Sequence, residues 1–549
     1  DKKSNKDDGV PSNRGADSPA AKTAEIVTED GRRFFGIEGA TRAGCPFSLE
    51  ISTEDFASDA KLRAALTQAT GAQAPIYARQ SAHLAPAIQK FTSTQPAQVK
   101  RFDRVGWSGD RFIMPGRGDA NVRVNLPREL PYSVGGDTDQ ALTAFDALLR
   151  VMPGDQVTVL LSFVFQAPLA RLMDWRESDR YALFITGQTG QFKTTVAQAA
   201  MAIYGIGFLS DSGLIRWGEG ATQNGIMALA TRAADAPILI DNFKPSMGGG
   251  EVAFYRLLHA ILEGGEKTRL TRTAELRESK AIYAWPVFTG EDTPRRDAAS
   301  LARLLEIKWS GVDADRLTMV QESAAALPAI GAMWLDWLET PEARQITQRY
   351  KAEFPDRRKR WADRIRGSEK DAQNIMRVAS NLAGNELTWM VLQSHPAIGV
   401  YARSYDLPQK HQAGLDKVAT AMAEATAKGV EAVRFIEAIQ VLVGSGRCML
   451  ANTRDEVGPL NADRYIGWQD DQGAYIVPEL AMCEVLRLLG PGALGDVSNQ
   501  KINAQLLELG HIARTGKNGR IPVVKKCGGK AQRVIHLKRE AVYLADDEQ

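Results

Sequence analysis

The feature that most constrains the fold is a glycine-rich stretch at residues 182–195, with the sequence ALFITGQTGQFKTT. An apolar strand pattern, YALFIT, leads into it, and an amphipathic helix pattern, TVAQAAMAIYG, completes it. A strand, a polar loop and a helix in this order direct the backbone N–H groups of the loop and the helix N-terminus toward one point. The stretch therefore predicts a parallel α/β sheet with a phosphate-binding loop at the carboxyl end of one strand.

The predicted loop departs from the usual pattern GxxxxGK[ST] at one position, because Phe192 stands in place of the second glycine. We expect the phenylalanine to be tolerated if its φ is negative and its ring points away from the ligand. Lys193 is predicted to reach the β- and γ-phosphates of ATP, and the hydroxyl of Thr194 to hold Mg²⁺. An accidental turn before a helix is the alternative. The predicted nucleotide-binding residues are Gly187, Gln188, Thr189, Gly190, Gln191, Phe192, Lys193, Thr194 and Thr195.

A second apolar strand pattern, APILIDNF, ends in Asp241 further along the chain. A carboxylate delivered by a buried strand beside the loop is expected to bind the water shell of Mg²⁺. The next residue is Asn242, where many ATPases have an acid, and an amide orients water but takes up no proton. Either hydrolysis is slow or another carboxylate is the base, with Glu251 and Glu291 as candidates.

Two further elements complete the predicted site. The strand in WPVFTGEDTP ends near Thr289 and Glu291, where a polar group would contact the γ-phosphate or position the attacking water. The segment RRDAASLARLLEIKW supplies Arg295, Arg296 and Arg303. Arg303 is predicted to be an arginine finger or sensor, with a solvated or ion-paired side chain as the alternative. The predicted catalytic residues are Lys193, Asp241, Asn242, Thr289, Glu291 and Arg303, and the predicted metal-binding residues are Thr194 and Asp241.

Composition excludes several classes of protein. The formal net charge is +2 over 549 residues, so no global field attracts the chain to DNA or to a membrane. Four cysteines far apart, without a CxxC pair, disfavour a zinc site and a disulfide framework and fit a reducing, cytoplasmic compartment. The most apolar run, VTVLLSFVFQAPLARLM, contains polar residues and a proline, which predicts a buried helix and no membrane span.

Strand and helix patterns divide the chain into six predicted segments. They are a disordered tail (1–22), an α/β module (23–125), a helical connector (126–175), a P-loop ATPase domain (176–315), a helical domain (316–460) and a winged-helix DNA-binding domain (461–549). The polar tail is alternatively the end of a linker to an upstream module. A hairpin is predicted around Ser108 and Gly109, and Asp137 is predicted to cap a helix.

The C-terminal segment predicts two helices followed by a basic hairpin, which is the order of a winged-helix domain. Ser498 is predicted to cap the second helix, Gly510 to end it, and the strands to flank a turn formed by Asn518 and Gly519. Residues 511–540 contain nine Lys or Arg and one acid. This asymmetry predicts contacts to DNA phosphates without base reading, while contacts to another protein are the alternative. The predicted DNA-binding residues here are Arg514, Lys517, Arg520, Lys525, Lys526 and Arg533.

The order of these elements resembles a known family. The likeness rests on the segments GQTGQFKTTVAQAAMAIYG, SGLIRWGEGATQNGIMALATRAADAPILIDNF, AILEGGEKTRL, WPVFTGEDTP and LARLLEIKW. They are similar to the helicase-like P-loop ATPase domain of phage, plasmid and integrative-element replication proteins, which is related to AAA+ and superfamily 3 helicases. The likeness covers residues 100–310 well and the flanks loosely.

The resemblance implies an α/β ATPase core of the ASCE or AAA+ type that assembles into a ring, a hexamer, and hydrolyses ATP with Mg²⁺ at subunit interfaces. It implies movement along single-stranded or forked DNA, with a primase or polymerase as a further partner. Thr222 and Asn224 would then lie near the nucleotide. Three cations would lie in pore loops that contact DNA, with a solvated loop as the alternative. They are Lys267, Arg269 and Arg272.

The leading functional hypothesis is an ATP-dependent DNA translocase, a replicative helicase of a phage or mobile element. The alternative is an ATP-switched DNA-binding initiator or regulator without unwinding activity, in which Asn242 keeps turnover low. A P-loop kinase or another metabolic enzyme is a weaker hypothesis, because it explains neither the basic C-terminal segment nor the helical region.

Overall fold

The structure is a computed structural model that describes most of the chain. The described residues are 20–41, 43–71, 82–92, 95–175, 179–218, 220–244, 250–264, 281–291, 298–365, 372–427, 430–452, 465–490, 494, 498–516, 521–527 and 530–543. They form two compact units: unit 1 is Asp1–Val105 with Ile113–Leu126, and unit 2 is Gly106–Phe112 with Pro127–Gln549. No helix among the described residues combines the length and hydropathy that a membrane span requires.

Unit 1 is built on a five-stranded sheet in the order β3-β2-β1-β4-β7. Leu62 and Leu66 of α2 and Ile88 of α3 pack against Ile37 and Ile51 of the sheet. The spacing of four residues puts both leucines on one face of their helix, which explains why that face is buried. The strands and helices of residues 20–126 are β1 (Ala20–Thr28), β2 (Arg33–Ala40), β3 (Pro46–Ser52), α1 (Thr53–Phe56), α2 (Asp59–Thr70), α3 (Leu84–Phe91), β4 (Ala97–Phe102), β5 (Gly106–Ser108), β6 (Arg111–Ile113) and β7 (Val122–Val124).

The predicted hairpin around Ser108 and Gly109 is confirmed, since β5 and β6 pair as a two-stranded sheet. Gly109 has φ 62°, a left-handed conformation that glycine adopts without a steric penalty. Most of this hairpin, Gly106–Phe112, belongs to unit 2, where the backbone N–H of Trp107 donates to Asp235.

A parallel sheet forms the centre of unit 2, as predicted. Its strand order is β12-β8-β11-β10-β9, and every neighbouring pair is parallel. β8 and β11 are buried throughout, as expected for strands covered on both faces. The elements of residues 127–310 are α4 (Thr138–Leu149), α5 (Gly154–Leu169), β8 (Ala182–Thr186), α6 (Lys193–Met201), β9 (Ile215–Arg216), α7 (Gln223–Arg232), β10 (Pro237–Phe243), α8 (Gly250–Leu262), β11 (Trp285–Gly290), α9 (Ala298–Leu301) and β12 (Leu304–Lys308).

Helices follow the sheet in the next part of unit 2. They are α10 (Ala314–Ser323), α11 (Pro328–Leu338), α12 (Pro341–Ile365), α13 (Ala372–Ser394), α14 (Ile398–Ala402), α15 (Leu407–Ala427) and α16 (Val430–Gly444). α13 and α15 pack against α5, whose Ser162 hydroxyl donates to the carbonyl oxygen of Asn385 at 2.6 Å. Every residue of α5 from Val157 on is buried, which confirms the predicted buried helix. The predicted N-cap is also confirmed, because Asp137 accepts from two N–H groups of α4.

One buried carboxylate joins α12 to α13. Glu386 accepts hydrogen bonds from Arg357 at 2.6 Å, from Arg360 and from the indole N–H of Trp361 at 2.8 Å. We expect Glu386→Ala to lower the free energy of unfolding, measured in urea, by about 3 kcal/mol, because it leaves buried donors without an acceptor. Arg364→Ala, which removes a more exposed ion pair with Asp416, should cost less than about 1 kcal/mol. Equal losses in the two variants would contradict this account.

The C-terminal part of unit 2 is a five-stranded sheet, β13-β14-β15-β17-β16, with helices on one face. Phe435 and Ile439 of α16 share a core with Ile502 and Leu506 of α18, so α16 packs with this sheet. The elements are β13 (Met449–Ala451), β14 (Tyr465–Asp470), β15 (Gly473–Ile476), α17 (Pro478–Leu489), α18 (Asn499–Glu508), β16 (Val523–Cys527), β17 (Lys530–Leu537) and α19 (Arg539–Val542).

The ends of α18 and the antiparallel hairpin after it are as predicted, but the turn of this hairpin lies at another position. The Ser498 hydroxyl accepts from the N–H of Lys501, and Gly510 after the helix has φ 73°. Cys527 pairs with Lys530, so the β16–β17 connection is residues 528–529, which are both glycine. Asn518 and Gly519 therefore do not connect β16 to β17, and the turn predicted for them lies outside the described residues. Gly-Gly is an equally good two-residue hairpin signal, and local sequence does not choose between the two.

Candidate functional site

The candidate site is a cavity at the carboxyl ends of β8, β10 and β11. In open parallel sheets this edge is where ligands bind, because loops and helix N-termini meet there. The cavity has a volume of about 300 Å³. Its lining residues are Thr189, Gly190, Gln191, Phe192, Lys193, Thr194, Thr195, Asp241, Asn242, Thr289, Gly290 and Glu291. The fold thus brings together most of the residues that the sequence predicted for one site.

Lys193 is the first residue of α6 and is buried, with 8% of its surface exposed. Its ammonium donates to the carbonyl oxygens of Gly187 at 2.7 Å and of Gln188 at 2.6 Å. Burial lowers the pKa of Lys193, and the charges of Glu291 and Asp241 oppose that shift. An ammonium has three donors, so one remains for a ligand while the loop carbonyls hold the other two.

Asp241 is the acceptor for two hydroxyl groups. Thr194 donates to its Oδ1 at 2.7 Å and Thr289 at 2.5 Å, while the N–H of Asn242 donates to the Thr289 hydroxyl at 3.1 Å. The register between β10 and β11 shifts between Ile240 and Phe243, a local irregularity of the kind that re-aims side chains. A carboxylate and hydroxyl oxygens are hard ligands that suit Mg²⁺, so the donor set fits this metal.

The backbone of Phe192 differs from the sequence expectation. Its φ is 62° and its ψ is 19°, so it is left-handed, and the expected negative φ is wrong. The chain must turn sharply between the loop and α6, and a left-handed residue provides that turn where a glycine is more usual. This conformation costs a side chain other than glycine about 1 kcal/mol or more. The phenylalanine is 50% exposed.

Of the two candidate bases, Glu291 is the one whose side chain the structure describes. It lines the cavity and accepts a hydrogen bond from the Thr189 hydroxyl. The side chain of Glu251, the other candidate, lies outside the described residues. Thr222 caps α7 through a bond from Gly225 at 3.1 Å, and neither Thr222 nor Asn224 lines the described cavity.

Arg303 lies at the opposite edge of the sheet. It precedes β12, and its carbonyl oxygen accepts from the N–H of Ala182 at the start of β8, whereas the cavity lies beyond the end of β8. Its guanidinium donates to Glu263 at 2.8 Å. The structure does not bring Arg303 to the cavity of its own chain. Arg295 and Arg296 lie outside the described residues.

The sequence did not predict that Trp309 and Glu306 contact the glycine loop and the strand before it. The indole N–H of Trp309 donates to the carbonyl oxygen of Gln191 at 2.7 Å, and Glu306 accepts from the Thr186 hydroxyl at 2.8 Å. Both residues belong to the strand pattern LLEIKW, which is visible in the sequence. The sequence does not show that β12 lies next to β8, which is what brings them to the loop.

Comparison with known proteins adds the family. Residues 2–281 match the family described as "Domain of unknown function (DUF927)", which is more than half of the chain. The chain belongs to the DUF927 family. The match includes the glycine loop and Asp241 and ends before Thr289. No curated protein matches the chain.

Solved structures show the fold of this DUF927 chain. It is similar to "SCCmec type IV Cch - active helicase" at a TM-score of 0.61 and 15% identity, over 95% of this chain and 93% of that one. It also aligns with the apo C-terminal region of NrS-1 at a TM-score of 0.31 and 9% identity, over 93% of this chain and 95% of that one. The first similarity shows a shared fold over nearly the whole chain, and the second carries no argument.

The predicted DNA-binding cations of the DUF927 chain are only partly described. Lys525 lies 5.1 Å from the ring centre of Tyr475, and Arg514 and Arg533 are exposed. Burial lowers the pKa of His536, while a hydrogen bond to the carbonyl oxygen of Gln472 and the charge of Asp470 oppose that shift. The charges of Lys525 and Arg514 make smaller contributions that lower the pKa, so both cations lie near this histidine. Five other predicted cations lie outside the described residues, namely Lys267, Arg269, Arg272, Lys517 and Arg520. The backbone of Lys526 is described, but its side chain is not.

Proposed function

We propose that this DUF927 protein is an ATPase that moves along DNA, a helicase of a phage or mobile element. The observation that carries the proposal is the convergence of Lys193, Thr194 and Asp241 on one cavity at the carboxyl edge of a parallel sheet. A cation, a helix N-terminus and a glycine loop suit a phosphate chain, and the hydroxyl–carboxylate pair suits Mg²⁺. The fold shared with an active helicase supports the same function.

Each residue has a role that follows from its position. Lys193 would reach the β- and γ-phosphates with its third N–H donor while the carbonyls of Gly187 and Gln188 keep the other two, and Thr194 and Asp241 would hold Mg²⁺. The metal, when bound, neutralises charge that develops on the transferred phosphoryl group. Because Lys193 is desolvated, its attraction to a phosphate is stronger than in water.

Thr289 and Glu291 act on the attacking water. The Thr289 hydroxyl donates to Asp241 and accepts from the backbone N–H of Asn242, so it connects the proposed metal ligand to the end of β11. Glu291 accepts from Thr189 of the loop and lines the cavity, and it is the proposed base. Asn242 orients water without taking its proton.

The protein is proposed to act as a ring, a hexamer. Arg303 lies away from the cavity of its own chain, so as an arginine finger it would act on the γ-phosphate of a neighbouring subunit. Particle mass tests this: it should rise to that of a ring with ATP and forked DNA. A monomer under every condition would remove the arginine finger from the proposal.

Asn242 favours a second candidate function. An amide in place of an acid beside the metal carboxylate suits slow turnover, as in an ATP-switched DNA-binding initiator or regulator. Such a protein would assemble with ATP and bind a duplex at a specific site without displacing a strand.

Strand displacement separates the two candidates. A helicase should hydrolyse ATP several-fold faster with single-stranded DNA and should release an annealed strand from a fork when ATP and Mg²⁺ are present. ATP-dependent duplex binding without release of the strand would favour the switch. ATP turnover in a protein that neither binds DNA nor responds to it would contradict both candidate functions.

The C-terminal cations give a further prediction. Replacing Arg514, Lys525 and Arg533 together by alanine should weaken single-stranded DNA binding and reduce the slope of log K against log salt by about 2, since each phosphate contact contributes about 0.7. The control replaces Arg32, Lys61 and Arg123, three exposed cations of unit 1, and should leave the slope unchanged. The slope is measured by fluorescence anisotropy over a salt series. Equal slopes in the two variants would show that DNA binds elsewhere.

A further inference from the structure

We infer that Trp309 is a positioning residue that holds the peptide between Gln191 and Phe192 in the orientation that nucleotide binding requires. This contact is needed because residue 192 is a phenylalanine, which disfavours that orientation. The inference rests on the proposed nucleotide site. It explains how the loop keeps its shape although a phenylalanine stands where a glycine is usual.

Trp309 contacts the glycine loop at both ends. Its backbone N–H donates to Thr186, the last residue of β8, at 2.7 Å, and its indole N–H donates to Gln191 at 2.7 Å. A Cβ atom added at Gly187 would lie 2.8 Å from the Cβ of Trp309, so the loop begins directly against this side chain. Trp309 is 7% exposed. The indole is therefore a fixed donor and not a mobile surface group.

The Trp309 backbone is itself anchored from α5. The amide of Gln156 donates to the carbonyl oxygen of Lys308 at 3.1 Å and to the Ser310 hydroxyl at 2.8 Å. These two residues flank Trp309 in the chain. The indole thus lies on a strand end that is held from both sides, as a positioning residue must be.

The hydrogen bond fixes the direction of one backbone N–H. The peptide between Gln191 and Phe192 is trans, so its C=O and N–H point in opposite directions. Because the carbonyl of Gln191 points to the Trp309 indole, the N–H of Phe192 points away from it. Phe192 lines the cavity, and loops of this kind bind phosphate through such N–H groups.

Phenylalanine opposes this orientation. With φ 62°, Phe192 has a conformation that side chains other than glycine disfavour. Rotating the peptide by half a turn would change φ of Phe192 to about −120°. With ψ unchanged at 19°, the residue would then lie near the bridge region, where a side chain is less strained than in the left-handed region. That rotation would also break the bond to Trp309 and reverse the N–H. Glycine would have no such bias. Trp309 therefore opposes a peptide flip that the phenylalanine favours.

A double-mutant cycle tests the inference, with the dissociation constant of ATP and Mg²⁺ measured by calorimetry. Trp309→Phe keeps most of the ring and removes the indole N–H, and should raise the dissociation constant about tenfold, the effect of losing one well-formed hydrogen bond. Phe192→Gly alone should bind at least as tightly as the wild type. In the double variant the glycine should restore most of the affinity, leaving a rise of less than about threefold, since the two residues are coupled.

The control is Trp337→Phe, a similarly buried tryptophan of α11, which should leave the affinity unchanged. Equal weakening in Trp309→Phe with and without glycine at 192 would overturn the inference, as would wild-type affinity in Trp309→Phe. Should Trp309→Phe not fold, tenfold weaker binding by Phe192→Gly alone would overturn it as well. A wild-type protein that binds no ATP would instead contradict the proposed function.

Discussion

Lys193→Ala should abolish ATP turnover, with kcat/KM falling about a thousandfold or more. Lys193 is the one cation among the described residues that line the cavity, and its ammonium is already desolvated there. The alanine variant would leave the phosphates with loop N–H groups alone, which lack the positive charge that stabilises phosphoryl transfer. Strand displacement should be lost together with turnover. ATP turnover is measured in steady state with ATP in excess, and strand displacement in a single turnover with the protein in excess over the fork.

The fold of this variant should be retained, because Lys193 bonds only to loop carbonyls among its described partners. Lys417→Ala, which removes an exposed lysine paired with Asp155, is the matched control and should keep full turnover. Wild-type kcat/KM in Lys193→Ala would place the nucleotide elsewhere. Lost turnover in both variants would indicate general damage and not a role for the ammonium.

Asp241→Asn should lower turnover about a hundredfold to a thousandfold and raise the Mg²⁺ concentration needed for half-maximal rate. The amide oxygen still accepts from Thr194 and Thr289, so the hydroxyl contacts can persist while the negative charge is lost. The loss therefore falls on metal binding and not on the fold. A Mg²⁺ titration of the ATPase rate measures it, with the thermal midpoint as a check on folding.

The matched control is Asp211→Asn, an exposed carboxylate of unit 2 that pairs with Arg216. It should leave both the rate and the Mg²⁺ dependence unchanged. An Asp241→Asn protein with an unaltered Mg²⁺ dependence would show that the metal is held by other groups, and the assignment of Thr194 would fail with it.

The sequence predicted what depends on local pattern. Residues 182–195 carry both the period of a strand and the polar loop before a helix, so the parallel sheet and the position of the loop followed from them. Asp137 and Ser498 followed in the same way, because an N-cap bonds to N–H groups within its own first turn. Nearby residues decide each of these features.

What the sequence did not predict depends on contacts between distant segments. The positive φ of Phe192 is stabilised by Trp309, which is far away in the chain and becomes a neighbour only through the strand order. Arg303 lies at the other sheet edge because it directly precedes β12, which runs parallel to β8. The periodicity of a sequence does not show which strands are neighbours in a sheet. Hydrogen bonds between segments that are distant in the chain decide the strand order.

We propose above all that Lys193, Thr194 and Asp241 hold one magnesium triphosphate. A crystal structure of the protein with Mg²⁺ and a non-hydrolysable ATP analogue tests it most directly. We expect the phosphates to lie within the loop of residues 187–194, the ammonium of Lys193 to contact the terminal phosphates and the metal to lie beside Thr194 and Asp241. An analogue bound elsewhere, or a cavity filled by the ring of Phe192, would contradict it.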